Sequence, residues 1–244
     1  MKKTIKALAL ALAALSLVLS CTKSSKGEEG FVSFQISQDE EVALVTKSSV
    51  GSFTTLPSPD DFRLVIVNSS DEEIPVSDPK GLTSLPAGNY TVKASFGSTS
   101  EEGFDKPCFY GEQTFSINGG QTSAVTVKTS LANAIVRFEY SENFRKYYTD
   151  YSFTLTSGKG TQIQFPASET RAAFVDAYLI KVKGSLTSQG GKTQEFPEKE
   201  YKGLDAATCY TLRFDASNVG SSIVTISFND TVEDVDLGET ELND

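Results

Sequence analysis

The sequence predicts an all-β protein made of two β-sandwiches in tandem behind a secretory leader. Three observations predict it. Short apolar or alternating segments recur between Gly, Asn and Pro turns. Helical periodicity is nearly missing. The strand pattern also restarts near residues 129–133, which sets units of 31–130 and 131–244.

The leader comes first. Lys2, Lys3 and Lys6 precede an apolar run over 7–19, too short to span a bilayer as a stable helix. The run ends in Val18-Leu19-Ser20-Cys21, which resembles a bacterial lipobox. Cleavage between Ser20 and Cys21 would make Cys21 the first mature residue and the acceptor of a lipid anchor. Each buried methylene of the acyl chains contributes about 0.8 kcal/mol of membrane affinity. An ordinary signal with a chance cysteine is the alternative. Residues 21–30 then read as lipidated cysteine and flexible Ser/Gly/Lys/Glu tether.

The strands follow in order. FVSFQI (31–36) opens the first unit, and the continuous apolar run FRLVIVN (62–68) reads as well buried. NYTVKASF (89–96) alternates, with Tyr90, Val92, Ala94 and Phe96 on one face. FYGEQTFSI (109–117) and TSAVTVKT (122–129) flank Asn118-Gly119-Gly120, a strong hairpin signal. NAIVRFEY (133–140) starts the second unit, with Ala134, Val136, Phe138 and Tyr140 on one face. SENFRKYY (141–148) is either a short helix capped by Ser141 or a loop. DYSFTLTS (150–157) and TQIQFP (161–166) flank Gly158-Lys159-Gly160, and 173–188 could be one long strand. KTQEFP, CYTLRFD (209–215), SSIVTISF (221–228) and TVEDVDL (231–237) complete the set. KGLTSLPAGNYTVKASF (80–96) echoes KGLDAATCYTLRFD (202–215), suggesting a related strand late in each unit.

Composition excludes much chemistry. From Cys21 onward there are 19 basic and 32 acidic residues, a net charge of −13. Such a surface repels nucleic acid, and no nucleic-acid partner is expected. Histidine is absent, which removes Ser-His-Asp and Cys-His catalysis and imidazole metal sites. No phosphate-binding glycine loop or nucleophile elbow appears. The sequence therefore points to no catalytic residue, no metal and no cofactor.

Four weaker features remain. Phe144, Tyr147 and Tyr148 could stack on sugar rings, or they could be core. Phe104, Phe109 and Tyr110 surround Cys108 in a second aromatic cluster that reads as loop packing. Cys108 and Cys209 could pair in an oxidising compartment, or stay as two buried thiols. The acidic end 229–244 reads as a solvated last strand and tail, or as an edge that adds to a partner sheet.

Several segments carry a resemblance. GFVSFQIS, LPAGNYTVKASFGS, EGFDKPCFYGEQTF and LANAIVRFEYSENFRKYYTDYSFTL resemble a family of Bacteroides-type lipoproteins known as a domain of unknown function (4493). They span most of 30–155, and KGLDAATCYTLRF continues the likeness. The family has no assigned activity. The layout is also similar to that of fimbrillin-like lipoproteins, with two Ig-like or transthyretin-like sandwiches after a tether. That likeness implies adhesion, or the anchoring and assembly of surface fimbriae, with a protein partner or a cell-surface glycan. Capture of glycans is the alternative role. Asp230-Thr231-Val232 resembles the short motif these bacteria O-glycosylate, at Thr231. Thr22 follows Cys21, so the aspartate linked to inner-membrane retention in some bacteria is missing, and Glu28-Glu29 resembles the acidic signal for the cell surface, with a periplasm-facing position in the outer membrane as the fallback.

Overall fold

The computed structural model of the 244-residue chain describes residues 27–43, 48–216, 223–228 and 231–237. The described residues are all-β apart from one short helix and two single 3-10 turns.

Alternation decides the faces of the first ten strands. In β1 (Glu29–Asp39), Val32 and Phe34 face inward while Phe31 and Gln35 face out. β2 (Glu41–Val42) and β3 (Ser48–Ser49) make a small ladder of their own. β4 (Arg63–Asn68), β5 (Glu73–Pro75), β6 (Thr83–Pro86) and β7 (Gly88–Phe96) follow. β8 (Gly103–Phe104), β9 (Phe109–Ile117) and β10 (Thr122–Leu131) come next. Seven of these form one sheet in the order β5-β4-β7-β9-β10-β1-β6. β1 runs parallel to β10, and β6 is antiparallel to β1.

The Asn118-Gly119-Gly120 turn does join β9 to β10, yet the two strands pair only at the far end. Their partners there are Tyr110 with Ser130 and Phe109 with Leu131. Elsewhere β10 follows β1, so the sheet folds over itself at this corner. Gly111 permits the approach: a Cβ there would sit 2.1 Å from the Lys128 carbonyl oxygen. The enclosed core is largely aliphatic, with Val32, Leu64, Ile66, Val92 and Val127 around Phe109.

Only Ala132 separates β10 from β11 (Asn133–Tyr140). The helix α1 (Glu142–Tyr147) follows; the Ser141 hydroxyl accepts from the Phe144 amide at 3.0 Å and caps it. β12 (Tyr148–Ser157), β13 (Gln162–Pro166), β14 (Ala173–Asp176), β15 (Leu179–Ser188) and β16 (Thr193–Lys202) come next. β17 (Cys209–Asp215), β18 (Ile223–Phe228) and β19 (Thr231–Asp236) close the series. Together with β8 they form a four-stranded sheet, β13-β12-β15-β16, and a six-stranded one, β19-β18-β17-β11-β14-β8. Between them lies an aromatic core in which twelve of the described buried residues are Phe or Tyr.

One arrangement occurs twice. β5-β4-β7-β9 corresponds to β13-β12-β15-β16, and β10-β1-β6 to β17-β11-β14. In both, the opening strand runs parallel to a late one, β1 with β10 and β11 with β17.

Two sequence expectations need correction. Residues 173–188 are two strands in different sheets: β14 pairs with β11 and β15 with β12. The chain crosses over at Ala177-Tyr178, where the Tyr178 amide returns to the Asp176 carbonyl. The echo between 80–96 and 202–215 also joins inequivalent strands. Its first copy is β7, the counterpart of β15; its second is β17, the counterpart of β10.

Candidate functional site

The helix explains the fate of the aromatic cluster. Its inward face carries Phe144 and Tyr147 at i and i+3. Tyr148 starts β12, and the register shifts between Tyr148 and Asp150. That bulge turns Tyr148 and Tyr151 toward the same side. Phe144 is fully buried, Tyr148 is 1% exposed and Tyr147 7%. Phe144 lies 4.8 Å from Tyr148, 5.1 Å from Tyr151 and 5.4 Å from Tyr140, centroid to centroid. Burial raises the Tyr148 phenol to about 12 and the Tyr140 phenol further still. The three residues are core packing and form no platform for a sugar ring.

Cys108 and Cys209 are both buried free thiols, so the pairing considered from sequence is not made. Cys108 precedes β9, where its amide donates to Asn133 Oδ1 at 2.6 Å. Cys209 opens β17 opposite Ile135. Burial lifts both thiols, Cys209 to about 11, which suppresses the thiolate and its reactivity. Cys21 and Ser20 lie outside the described residues.

The most connected surface feature is one that sequence reasoning passed over. The segment 97–107 leaves the first sheet and adds β8 to the edge of the second-half sheet, against β14. Gly97 starts it with φ +69 and sits where a Cβ would meet the Pro107 carbonyl oxygen at 2.3 Å. The Glu102 carboxylate accepts from the Ser157 hydroxyl at 2.5 Å and the Asp176 amide at 2.7 Å. Phe104 packs edge-on against Phe165 at 5.0 Å, with the Arg171 guanidinium 4.6 Å above its ring. Arg171 also bridges Asp105 and Glu169. Its hydrogen bonds hold the Glu169 carboxyl at about 2. Gly97, Gly103 and Pro107 were the available signal, and they mark a loop without revealing its destination. Of the cluster around Cys108, Phe109 is buried, Phe104 serves this clamp and Tyr110 remains 43% exposed.

The acidic end supplies β19, the outer strand of its sheet, where Val232 is 66% exposed. Lys199 of β16 pairs with Glu233 across the open side of the sandwich. Beside that pair a cleft of about 210 Å³ is lined by Glu200, Tyr201, Lys202, Ile226 and Phe228. Thr231 stands at the start of β19 opposite Phe228; Asp230 lies outside the described residues. A second open cleft, of about 420 Å³, has an uncharged lining that includes Asn68, Asn89, Thr91, Thr114 and Ser116. Among the described residues, no three His, Cys, Asp or Glu side chains gather as a metal site.

Residues 28–240 match the family described as Domain of unknown function (DUF4493). The chain belongs to this family. No curated protein matches it. Among solved structures, the DUF4493 chain is similar to a candidate cell adhesion protein from Bacteroides ovatus. Identity there is 12%, TM-score 0.45, with 85% of this chain and 98% of that one covered. It is similar to a fimbrial assembly protein from Parabacteroides distasonis at 10% identity and TM-score 0.42, covering 86% and 99%. A third is a candidate polysaccharide binding protein from Bacteroides thetaiotaomicron, at 11% and 0.42, covering 85% and 98%.

Proposed function

We propose that this chain is a non-enzymatic outer-membrane lipoprotein that displays two β-sandwich units, 31–130 and 131–244, at the cell surface. Its role is adhesion, or the anchoring and assembly of surface fimbriae. One observation carries the reading: the apolar run ending at Cys21 leads through a short tether directly into β1, which begins at Glu29. The acyl chains on Cys21 hold the protein at the membrane. The partner is a protein that pairs its own strand with an edge, and β19 with its exposed Val232 is the edge offered. The rings at 144–148, on which a glycan role was read from the sequence, are buried.

The test compares cells carrying the wild type with cells carrying Cys21→Ala. Wild-type protein fractionates with the outer membrane, and its N-terminal peptide has the mass of an acylated Cys21. The variant appears in the soluble fraction, and cell–cell or cell–surface attachment falls. Equal attachment from a soluble variant would refute the reading.

A further inference from the structure

The described chain enters the fold at one end of the first sandwich. The Glu28 carbonyl accepts from the Ala87 amide and the Glu29 carbonyl from the Gly120 amide, both at 2.8 Å; the Phe31 amide reaches the Gln121 carbonyl. These bonds fix the start of β1 between two turns, 86–88 and 118–121. A third turn, 69–72, lies at the same end, because Asn68 pairs with Tyr90 while Gly88 pairs with Ile117. Six residues, 21–26, precede Gly27 in the sequence. Whatever their path, six peptide units span at most about 20 Å.

Two consecutive strands separate the entry end from the helix α1. β10 runs from the 118–121 turn to the junction, and β11 continues after Ala132 to the helix. Each strand adds about 3.3 Å per residue. At the far end α1 is tied to the β15–β16 turn: the Gln189 amide donates to the Tyr147 carbonyl at 2.9 Å. The 97–107 clamp holds the second half to the first through Glu102, Phe104 and Arg171.

Charge bears on how such a body sits. At the entry end, among the described residues 27–30, 68–73, 85–90 and 116–122, the charged side chains are Glu28, Glu29, Asp71, Glu72 and Glu73. The chain from Cys21 carries −13 in all. An anionic headgroup layer repels this end as it repels the rest of the chain, so only the short lipid-bearing segment draws the protein in.

We propose that the turns 69–72, 86–88 and 118–121 face a lipid headgroup surface. The end formed by α1 and the β15–β16 turn then points away from the bilayer. This rests on the lipid-anchor reading above and adds an orientation to it: the second half, with its β19 edge, is the part presented to partners.

Energy transfer to the bilayer tests the orientation. The full chain is expressed with its leader, purified in detergent and placed in vesicles whose headgroups carry an acceptor dye. A donor is attached at Asn118→Cys or at Lys146→Cys; Cys108 and Cys209 are buried and stay unlabelled. Intact mass reports acylation of Cys21 in the same samples. The expected result is acylated protein with transfer from position 118 several-fold greater than from 146. Acylated protein with equal or reversed transfer overturns the orientation and leaves the anchor standing. Protein without acyl mass that fails to bind vesicles overturns both.

Discussion

The two halves use one strand arrangement and close it differently. In the first, β9 and β10 meet through backbone pairing at Tyr110–Ser130 and Phe109–Leu131. In the second, the corresponding strands β16 and β17 are not neighbours in any sheet; β17 pairs instead with β18, and β18 with β19. Side chains bridge that open side: Lys199 to Glu233, and Tyr201 stacked 4.3 Å from Phe228, which lies 5.4 Å from Tyr210. The cores differ in the same sense. The first is mainly aliphatic and the second is a nest of rings. Backbone closure needs room between strands, hence Gly111; side-chain closure needs large rings and leaves a cleft. Opening at lower cost is therefore expected in the second half, at β18 and β19.

The largest expected effect comes from the ring-packed core. Phe214 is fully buried and lies 4.3 Å from Phe153, 5.6 Å from Phe138 and 5.9 Å from Phe196. Phe214→Ala should cost about 3–5 kcal/mol in urea unfolding, because the ring leaves a cavity that its neighbours cannot fill. A loss near 1 kcal/mol would mean that the aromatic core is loosely packed. Next, Gly111→Val forces a branched side chain against the Lys128 backbone and should cost about 1–3 kcal/mol or more. Hydrogen exchange in β9 and β10 should rise with it. Unchanged exchange there would remove the contrast in closure.

Phe104→Ala tests the clamp between the halves. Losing the contacts with Phe165 and Arg171 should cost about 2 kcal/mol and broaden or split the unfolding transition. A single sharp transition at the wild-type midpoint would show that β8 contributes nothing to coupling. Tyr201→Ala is smaller, about 1 kcal/mol, and should speed exchange in β18 and β19 while sparing β10. The subtlest effect is with pH. Hydrogen bonds from Arg171 depress the Glu169 carboxyl from its usual 4.5 to about 2. Because the folded value is lowered, the stabilisation is full above about 4.5 and is lost as pH falls toward 2. Glu169→Gln should flatten that part of the stability profile, and an unchanged slope would argue against the pair.

Much of the strand content was legible because it depends on local alternation. Tyr90, Val92 and Ala94 face inward as their spacing requires, and Ala134, Val136, Phe138 and Tyr140 line the second core. Ser141 offered a local cap for 141–148, which the residues left open between helix and loop, and the structure makes it the cap of α1. What failed depends on long-range placement. Nothing within 173–188 shows that Ala173–Asp176 and Leu179–Ser188 join different sheets. The echo of Tyr-Thr-aliphatic-basic at 90–93 and 210–213 reflects shared strand chemistry at inequivalent places. The residues place Tyr148 in the helix-or-loop segment 141–148, whereas it opens β12 and reaches the core through a bulge that leaves no local signal. The 97–107 loop could be read as a loop, but its reach to Ser157, Arg171 and Asp176 could not.

The measurement that bears most directly on the proposed function is protease treatment of intact cells producing the chain with a C-terminal tag, beside the same cells carrying Cys21→Ala. If the protein is a surface lipoprotein, protease removes the tag from intact wild-type cells, and the variant leaves the membrane fraction. A tag that survives on intact cells, while the protein stays membrane-bound, would place it facing the periplasm and contradict a role in adhesion.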